Sequence, residues 1–295
     1  MTQSPQQPSS ASSASPASVH LVDVRYAPLS PAQALDLLVP AGPGPFPLIV
    51  KIHGGAFMAG DKSSELDDAE VLNRRGYAVA SLNYRLSGEA RFPAAVQDVK
   101  AAVRFLRAHA AEYRLDPDRF AAWGESAGAN LAAMLGVTGS TTTLLDDAGL
   151  GSADVSSEVQ AVVGWYGPYD FTTMDADFAS GRPAACPDVQ VHDAADSPES
   201  LYLGAPLPTV PELAAAAGPA RYLAAATWLP PFLLAAGDSD CLVPHQQSSA
   251  LHRALLAVGA ASSCTLLPGA VHADPVFRST QTEPALTFLD DVLSH

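Results

Sequence analysis

The segment DRFAAWGESAGANLAAML carries one serine, Ser126, between Gly124 and Gly128. The residues before this serine are typical of a buried strand, and the residues after it are typical of a helix. A serine on an ordinary loop needs no glycine on either side. A Gly-x-Ser-x-Gly sequence between a strand and a helix instead predicts a sharp turn, the nucleophile elbow, which holds a hydroxyl clear of the sheet edge.

Strand-like and helix-like segments alternate along most of the 295 residues. The apolar runs PLIVKIHGG and YAVASLNYRL are each followed by a helix-like segment, the second with apolar residues at Val96, Val99 and Val103. This alternation predicts an α/β fold with a mostly parallel twisted sheet and helices on both faces. Because 48% of the residues are hydrophobic, the chain can bury a large core.

Composition separates three parts of the chain. Residues 1–18 are rich in Ser, Pro, Gln and Ala without an apolar run, and we expect a disordered leader there. We expect the α/β domain to occupy residues 19–295. Within it, residues 168–229 form an irregular insertion that is rich in Pro, Asp and Ala.

The charge balance excludes some kinds of partner. With 31 acidic and 16 basic residues, the net charge of −15 argues against nucleic acid and anionic membrane surfaces. No apolar run approaches the roughly 20 residues of a membrane span. Three cysteines do not make a disulfide framework, so the default compartment is the cytoplasm, with secretion as the alternative. A monomer and a homodimer are both compatible with this composition.

Polar residues follow several of the predicted strands. They are His53-Gly54-Gly55, Gly124-Glu125-Ser126, Asp238-Ser239-Asp240 and Val271-His272. In open α/β sheets, ligands bind beyond the carboxyl ends of the strands. We therefore expect these segments to form one site.

A serine hydroxyl needs a base to become a good nucleophile. His272 follows the last strand-like run and fits the chain order of serine, acid and histidine. The acid that holds the histidine is sought among Asp238, Asp240 and Asp274, and we favour Asp240 because it lies deeper in its loop. The other histidines that follow Ser126 are expected to be packed or solvated: His192, His245, His252 and His295.

The segment HGGAF follows a predicted strand and is the expected oxyanion loop. Its glycines let backbone amides approach a substrate carbonyl without an intervening side chain. We expect the amides of Gly54, Gly55 and Ala127 to be the donors. His53 precedes Ser126 in the chain and is expected to hold this loop. Glu125 either tunes the site or caps local amides, and the sequence leaves both roles open.

With these motifs in place, the chain resembles the α/β-hydrolase carboxylesterases. It is similar to the hormone-sensitive-lipase-like esterases and more so to the BD-FAE-like group, named for a feruloyl esterase. The resemblance implies ester hydrolysis through an acyl-enzyme without metal or cofactor, with Ser126 as nucleophile, Asp240 as acid and His272 as base. The motifs that carry it cover most of residues 19–293: HGGAFMAGDKSS, GYAVASLNYRL through GESAGANLAAM, GWYGPYDF, SPESLYLG and GDSDCLVPHQQSSALHRAL.

The chain departs from the hormone-sensitive-lipase-like pattern in two places. Ala56 stands where many of those relatives have a third glycine, which affects the flexibility of the loop. Only about fifty residues precede His53, which leaves little chain for the helical N-terminal cap of those relatives. Any cover over the site is therefore expected from residues 168–229, as a small cap-like insertion.

Aromatic residues and cysteines near these motifs leave alternatives open. Phe57, Trp165, Tyr166 and Tyr169 are candidates for a substrate pocket, although core packing is an alternative for each. Cys241 adjoins Asp240, and Cys186 lies in the insertion. These two cysteines form either a disulfide that clamps the acid loop or two reduced buried thiols.

The sequence thus predicts a serine hydrolase that cleaves short-to-medium acyl esters, including aryl or feruloyl-type esters, with a small-molecule substrate as its partner. An amidase, formamidase or peptidase on the same fold is the first alternative. A hydrolase-fold binding protein without catalysis is the second.

Overall fold

The computed structural model describes residues 17–294. The expected leader, residues 1–18, lies outside this range except for its last two residues. No helix within the described range is long and apolar enough to cross a membrane.

An eight-stranded sheet forms the centre of the described part. Its order is β1-β2-β4-β3-β5-β6-β7-β8. The pairs that involve β2 are antiparallel, and every pair from β4 and β3 to β8 is parallel, which confirms the predicted mostly parallel sheet. The strands are β1 (Val19–Arg25), β2 (Ala34–Val39), β3 (Phe46–Ile52), β4 (Ala78–Leu82), β5 (Leu115–Glu125), β6 (Ala161–Trp165), β7 (Phe232–Gly237) and β8 (Ser262–Leu267).

Helices connect the parallel strands and cover both faces of the sheet. They are α1 (Leu66–Arg74), α2 (Ala94–Ala108), α3 (Ala110–Tyr113), α4 (Ala127–Thr138), α5 (Met174–Gly181), α6 (Pro198–Leu203), α7 (Pro211–Ala216), α8 (Gln246–Ala257) and α9 (Pro275–Leu293). Short 3₁₀ turns lie at Lys62–Glu65, Ala148–Leu150, Leu207–Thr209 and Pro219–Tyr222.

The core has two layers because alternate residues of a strand point to opposite faces. On β3, Val50 packs in the layer that α2, α4 and α8 cover, whereas Ile49 packs in the layer that α1 and α9 cover. Helix α4 is buried along its whole length. An apolar helix of this kind belongs to the centre of the fold, and α4 begins directly after Ser126.

The insertion, residues 168–229, contains more regular structure than its composition predicts. It holds α5, α6 and α7, which are 6 to 8 residues long and therefore too short to produce a clear helical periodicity. Helix α6 begins with a cap, because the Ser197 hydroxyl oxygen accepts the Ser200 N–H and Pro198 occupies the first turn. Helix α7 likewise begins at a proline, Pro211.

Candidate active site

Ser126 lies on a tight turn between β5 and α4, with φ of 53° and ψ of −125°. This conformation is unfavourable for a residue with a side chain. The flanking glycines are required by close packing: a Cβ on Gly124 would lie 2.1 Å from the Gly128 carbonyl oxygen, and a Cβ on Gly128 would lie 2.0 Å from that of Ile52. The turn therefore depends on both glycines of the Gly-x-Ser-x-Gly sequence.

Ser126, His272 and Asp240 form a continuous series of hydrogen bonds. His272 Nε2 lies 2.9 Å from Ser126 Oγ, and His272 Nδ1 lies 2.7 Å from Asp240 Oδ2. An ionised carboxylate only accepts hydrogen bonds, so Nδ1 carries the proton and Nε2 is free to accept the serine hydroxyl. This arrangement can remove a proton from Ser126 during an attack.

The Asp240 carboxylate is buried and fixed by its own loop. Its Oδ1 accepts the backbone N–H groups of Leu242 at 2.8 Å and Val243 at 2.9 Å. Asp238 instead accepts the Gly269 N–H, and Asp274 caps the start of α9 through the Val276 N–H. Of the three candidate acids, the structure brings Asp240 to His272.

The three predicted oxyanion donors lie around Ser126. Ala127 is the first residue of α4, so its N–H has no acceptor within the helix. Gly54 packs so closely that a Cβ there would lie 3.1 Å from Ser126 Cβ. The amides of Gly54, Gly55 and Ala127 have no acceptor among residues 17–294. They are therefore available to a substrate oxygen.

His53 and Tyr84 support the loop that carries Gly54 and Gly55. The His53 ring stacks on Tyr84 at 4.5 Å between centroids, and the Tyr84 hydroxyl donates to the His53 carbonyl at 2.9 Å. Burial lowers the pKa of His53 below its ordinary value, so the ring is neutral and Nδ1–H donates to the Gly54 carbonyl at 2.7 Å. Ala56 follows in the left-handed region, with φ of 55°, where glycine would be unstrained.

A buried ionic cluster lies next to the nucleophile. Lys51 Nζ contacts Glu65 at 3.0 Å, Asp68 at 3.2 Å and Glu125 at 3.6 Å. The carboxylates are close enough to one another to suit a metal ion, but the Lys51 ammonium contacts all three. Burial disfavours the charge on Lys51, but these acids outweigh it and raise the pKa of Lys51 above its ordinary value.

Glu125 connects this cluster to His272. The Tyr166 hydroxyl donates to Glu125, and Arg278 approaches Glu125 at 3.3 Å. Burial and the charge of Glu125 raise the pKa of Tyr166, so the hydroxyl stays protonated. The Tyr166 ring packs edge-on against His272 at 4.9 Å. Sequence reasoning missed this connection because its members come from separate strands and helices.

Two cavities meet at Ser126. The larger has a volume of about 380 Å³ and is lined by Tyr166 and Arg278, among others. The smaller has a volume of about 60 Å³ and extends toward Phe57 and the insertion. Ser126 and His272 line both cavities. Phe57 and Tyr166 thus line the cavities beside the nucleophile.

Trp165 and Tyr169 are a correction to the predicted pocket, because neither lines these two cavities. Trp165 precedes Tyr166 and packs into the layer that α1 and α9 cover, against Trp123 at 5.0 Å between ring centroids. Tyr169 packs into the core, where a Cβ on Gly164 would lie 2.4 Å from its hydroxyl oxygen. Both side chains fill the interior.

A disulfide joins Cys186 of the insertion to Cys241, with the two Cα atoms 5.5 Å apart. Beside it, the Gln190 N–H donates to the Cys241 carbonyl at 3.4 Å. Because Asp240 directly precedes Cys241, the insertion is tied to the loop that holds the carboxylate.

Comparison with known proteins places this geometry in a family. The esterase LipQ of Mycobacterium tuberculosis is 29% identical over 280 residues, which are 92% of this chain and 61% of LipQ. A solved structure described as a truncated form of a carbohydrate esterase from gut microbiota is 28% identical, with a TM-score of 0.81. The match covers 95% of this chain and all of that chain.

A second solved structure, a bifunctional GH43-CE protein of Bacteroides eggerthii, is 31% identical with a TM-score of 0.80 and covers 92% of this chain. The match occupies 38% of that protein. The chain therefore spans less than two thirds of LipQ and of the bifunctional protein. The BD-FAE family model matches residues 35–255, which is most of the chain. On this evidence the chain belongs to the BD-FAE family of α/β-hydrolases.

Proposed function

We propose that the protein hydrolyses carboxylic esters through a serine-bound acyl intermediate. The observation that carries this proposal is the hydrogen-bonded series of Ser126, His272 and Asp240 beside three amides without an acceptor in the described chain. The esterase names of the similar proteins support the same chemistry.

In the first half of the reaction, Ser126 Oγ attacks the ester carbonyl carbon while His272 Nε2 takes the serine proton. The carbonyl oxygen becomes negative and accepts hydrogen bonds from the amides of Gly54, Gly55 and Ala127. Asp240 holds His272 in the required tautomer and stabilises its protonated form. His272 then gives the proton to the alcohol oxygen, and the carbon–oxygen bond of the ester breaks.

In the second half, a water molecule replaces the alcohol. His272 takes a proton from this water, which attacks the acyl carbonyl and forms a second oxyanion at the same amides. Collapse of this intermediate releases the acid, and the proton on His272 returns to Ser126. The cycle is balanced without a redox partner.

The cavities favour small esters, in line with a small-molecule substrate. The smaller cavity of about 60 Å³ accepts only a short group, whereas the larger cavity of about 380 Å³ has room for an aryl or medium-length group. We therefore propose short-to-medium acyl esters, including aryl and feruloyl-type esters. An amidase is the alternative, and matched p-nitrophenyl acetate and p-nitroacetanilide separate the two by their relative turnover.

The test of the mechanism is covalent labelling. A fluorophosphonate probe should label the wild type at Ser126, and Ser126→Ala should lose both labelling and ester hydrolysis. Ser64→Ala is the matched control, because Ser64 also lines the larger cavity but contacts neither His272 nor Asp240. It should label normally. A wild type that neither labels nor hydrolyses esters would show a binding protein instead.

The cysteines bear on the compartment of the protein. The default expectation is the cytoplasm, but a structural disulfide such as Cys186–Cys241 persists mainly in oxidising compartments. We therefore propose the exported alternative. Thiol alkylation and mass spectrometry of the protein from its native cells should find Cys186 and Cys241 blocked; if both are alkylated without reduction, the cytoplasmic location stands.

A further inference from the structure

The smaller cavity contains an imidazole–carboxylate pair that the proposed catalysis does not use. His192 is 1% exposed, and its Nδ1 lies 2.9 Å from Glu199 Oε2. Both residues line the cavity of about 60 Å³ that Ser126 and His272 also line. This places a second fixed imidazole beside the reacting hydroxyl.

His192 is held through both its backbone and its ring. Its backbone N–H donates to Asp175 at 2.7 Å, and its ring stacks on Phe178 at 6.1 Å between centroids with an interplanar angle of 15°. Glu199 lies in the first turn of α6, two residues after the Ser197 cap. The imidazole therefore has a defined orientation before any substrate binds.

The pair also has a defined hydrogen-bonding state. The Glu199 carboxylate only accepts, so Nδ1 of His192 carries a proton, and in the neutral tautomer Nε2 presents a lone pair. This Nε2 is buried and has no partner among residues 17–294. Buried polar atoms in native proteins are nearly always paired, so a donor that enters the cavity beside His192 would satisfy Nε2.

We propose that His192 and Glu199 recognise a hydroxyl group of the substrate. The preferred ester carries a free hydroxyl on the part that enters the smaller cavity, one or two carbons from the ester group, and this hydroxyl donates to His192 Nε2. A volume of about 60 Å³ equals the liquid volume of roughly two water molecules at about 30 Å³ each, so the cavity admits only a short hydroxyl-bearing group such as hydroxymethyl or hydroxyethyl. This inference rests on the proposed ester hydrolysis and names its substrate class.

The hydroxyl can belong to the acyl part or to the alcohol part of the ester. The experiment therefore has one arm for each part. The acyl arm compares phenyl glycolate with phenyl propionate, which has a methyl in place of the hydroxyl, and with phenyl methoxyacetate. The methoxy ester has a similarly activated carbonyl but no donor. The alcohol arm compares 2-hydroxyethyl, propyl and 2-methoxyethyl benzoates.

In one of the two arms, kcat/KM should be at least about tenfold higher for the hydroxyl ester than for both partners. His192→Phe keeps the stacked ring but removes the acceptor. In this variant, kcat/KM for the hydroxyl ester should fall to the value for the methoxy ester. The matched control is His252→Phe. His252 bonds Ser262 and lines neither cavity, so this variant should keep the preference.

Two results overturn the inference. If the wild type hydrolyses hydroxyl and methoxy esters equally in both arms, no hydroxyl site exists although the proposed function stands. This comparison needs no variant and holds even if His192→Phe does not fold. If the wild type hydrolyses none of the esters and takes up no fluorophosphonate, the proposed function fails and this inference fails with it.

Discussion

Ser126 is held in a backbone conformation that costs a residue with a side chain about 1–3 kcal/mol. The surrounding structure maintains it because Gly124 and Gly128 allow β5, α4 and the end of β3 to meet at van der Waals distance. The strain places the hydroxyl against His272 and beside the free amides. The local backbone and the long-range hydrogen bond thus act on the same atom.

The choice between Asp240 and Asp238 is testable at this scale. Asp240→Asn should lower kcat about 10³–10⁴-fold, because an amide no longer fixes the tautomer of His272. Asp238→Asn should leave kcat within about twofold, because Asp238 contacts Gly269 and Ser239 rather than His272. Steady-state hydrolysis of p-nitrophenyl acetate measures both. Equal losses in the two variants would contradict the assignment of the acid.

At the scale of elements, the ionic cluster joins several segments that are distant in sequence. Lys51 extends from β3, Asp68 from α1, Glu125 from the end of β5 and Arg278 from α9. The cluster fixes the position of α1 and α9 against the sheet directly behind the nucleophile. It also supports Tyr166 and, through its ring, His272.

Lys51→Met should therefore destabilise the fold by about 3–5 kcal/mol, because it leaves the buried Glu65 carboxylate without its cation, whereas Arg278 still contacts Asp68 and Glu125. Denaturant unfolding measures the change. Arg74→Met is the control: its ion pair with Glu70 is exposed on α1 and should contribute less than about 1 kcal/mol. Similar losses in the two variants would show that the cluster has no special role.

The contribution of the oxyanion loop to the stability of the fold depends on pH. Burial lowers the pKa of His53 below 6.5, so at lower pH the unfolded chain binds a proton that the folded loop resists. The stabilisation that comes from the neutral His53 is complete above pH 6.5. It declines as the pH falls toward the pKa of His53 in the folded protein. The slope is at most about 1.4 kcal/mol per pH unit.

Unfolding of the wild type and of His53→Asn between pH 5 and 7.5 isolates this contribution. The free energy of unfolding of the wild type should fall more steeply with acidification than that of the variant. His109→Asn is the control, because His109 follows the end of α2, is half-buried and bonds the Phe105 carbonyl, outside the oxyanion loop. Parallel curves for the wild type and His53→Asn would contradict the assignment.

At the scale of the whole molecule, the insertion and the sheet meet at the active site. The sheet supplies Ser126, and the loops after β7 and β8 supply Asp240 and His272. The insertion closes the smaller cavity with His192 and Glu199. The disulfide between Cys186 and Cys241 is the covalent connection between these two parts.

Removal of this connection should affect both stability and activity. The bridge spans 55 residues, for which loop-closure entropy gives a stabilisation of up to about 4 kcal/mol. The double variant Cys186→Ala/Cys241→Ala should lose part or all of this and should hydrolyse esters more slowly. Cys264→Ala, at the free cysteine, should lower stability much less. An unchanged melting temperature in the double variant would show that the bridge is not structural.

Part of the fold and part of the candidate site follow from local sequence alone. The alternation of strand-like and helix-like segments predicts the α/β fold, because hydrophobic periodicity is a local property. The elbow at Ser126 is equally local, since the need for Gly124 and Gly128 arises within one turn. The strand-end rule then gathers His272 and the two aspartates at one edge of the sheet.

Other features were decided only by the tertiary structure. Asp238 and Asp240 both follow β7, and only the path of the loop after that strand brings Asp240 to His272. Trp165 and Tyr166 are neighbours in sequence and pack in the same core layer, but only Tyr166, which follows the end of β6, also lines the larger cavity. The environment of His192 depends on a short irregular insertion and a disulfide. Local patterns specify which elements form, whereas the contacts between side chains depend on how distant elements pack, and no single stretch of sequence contains that information.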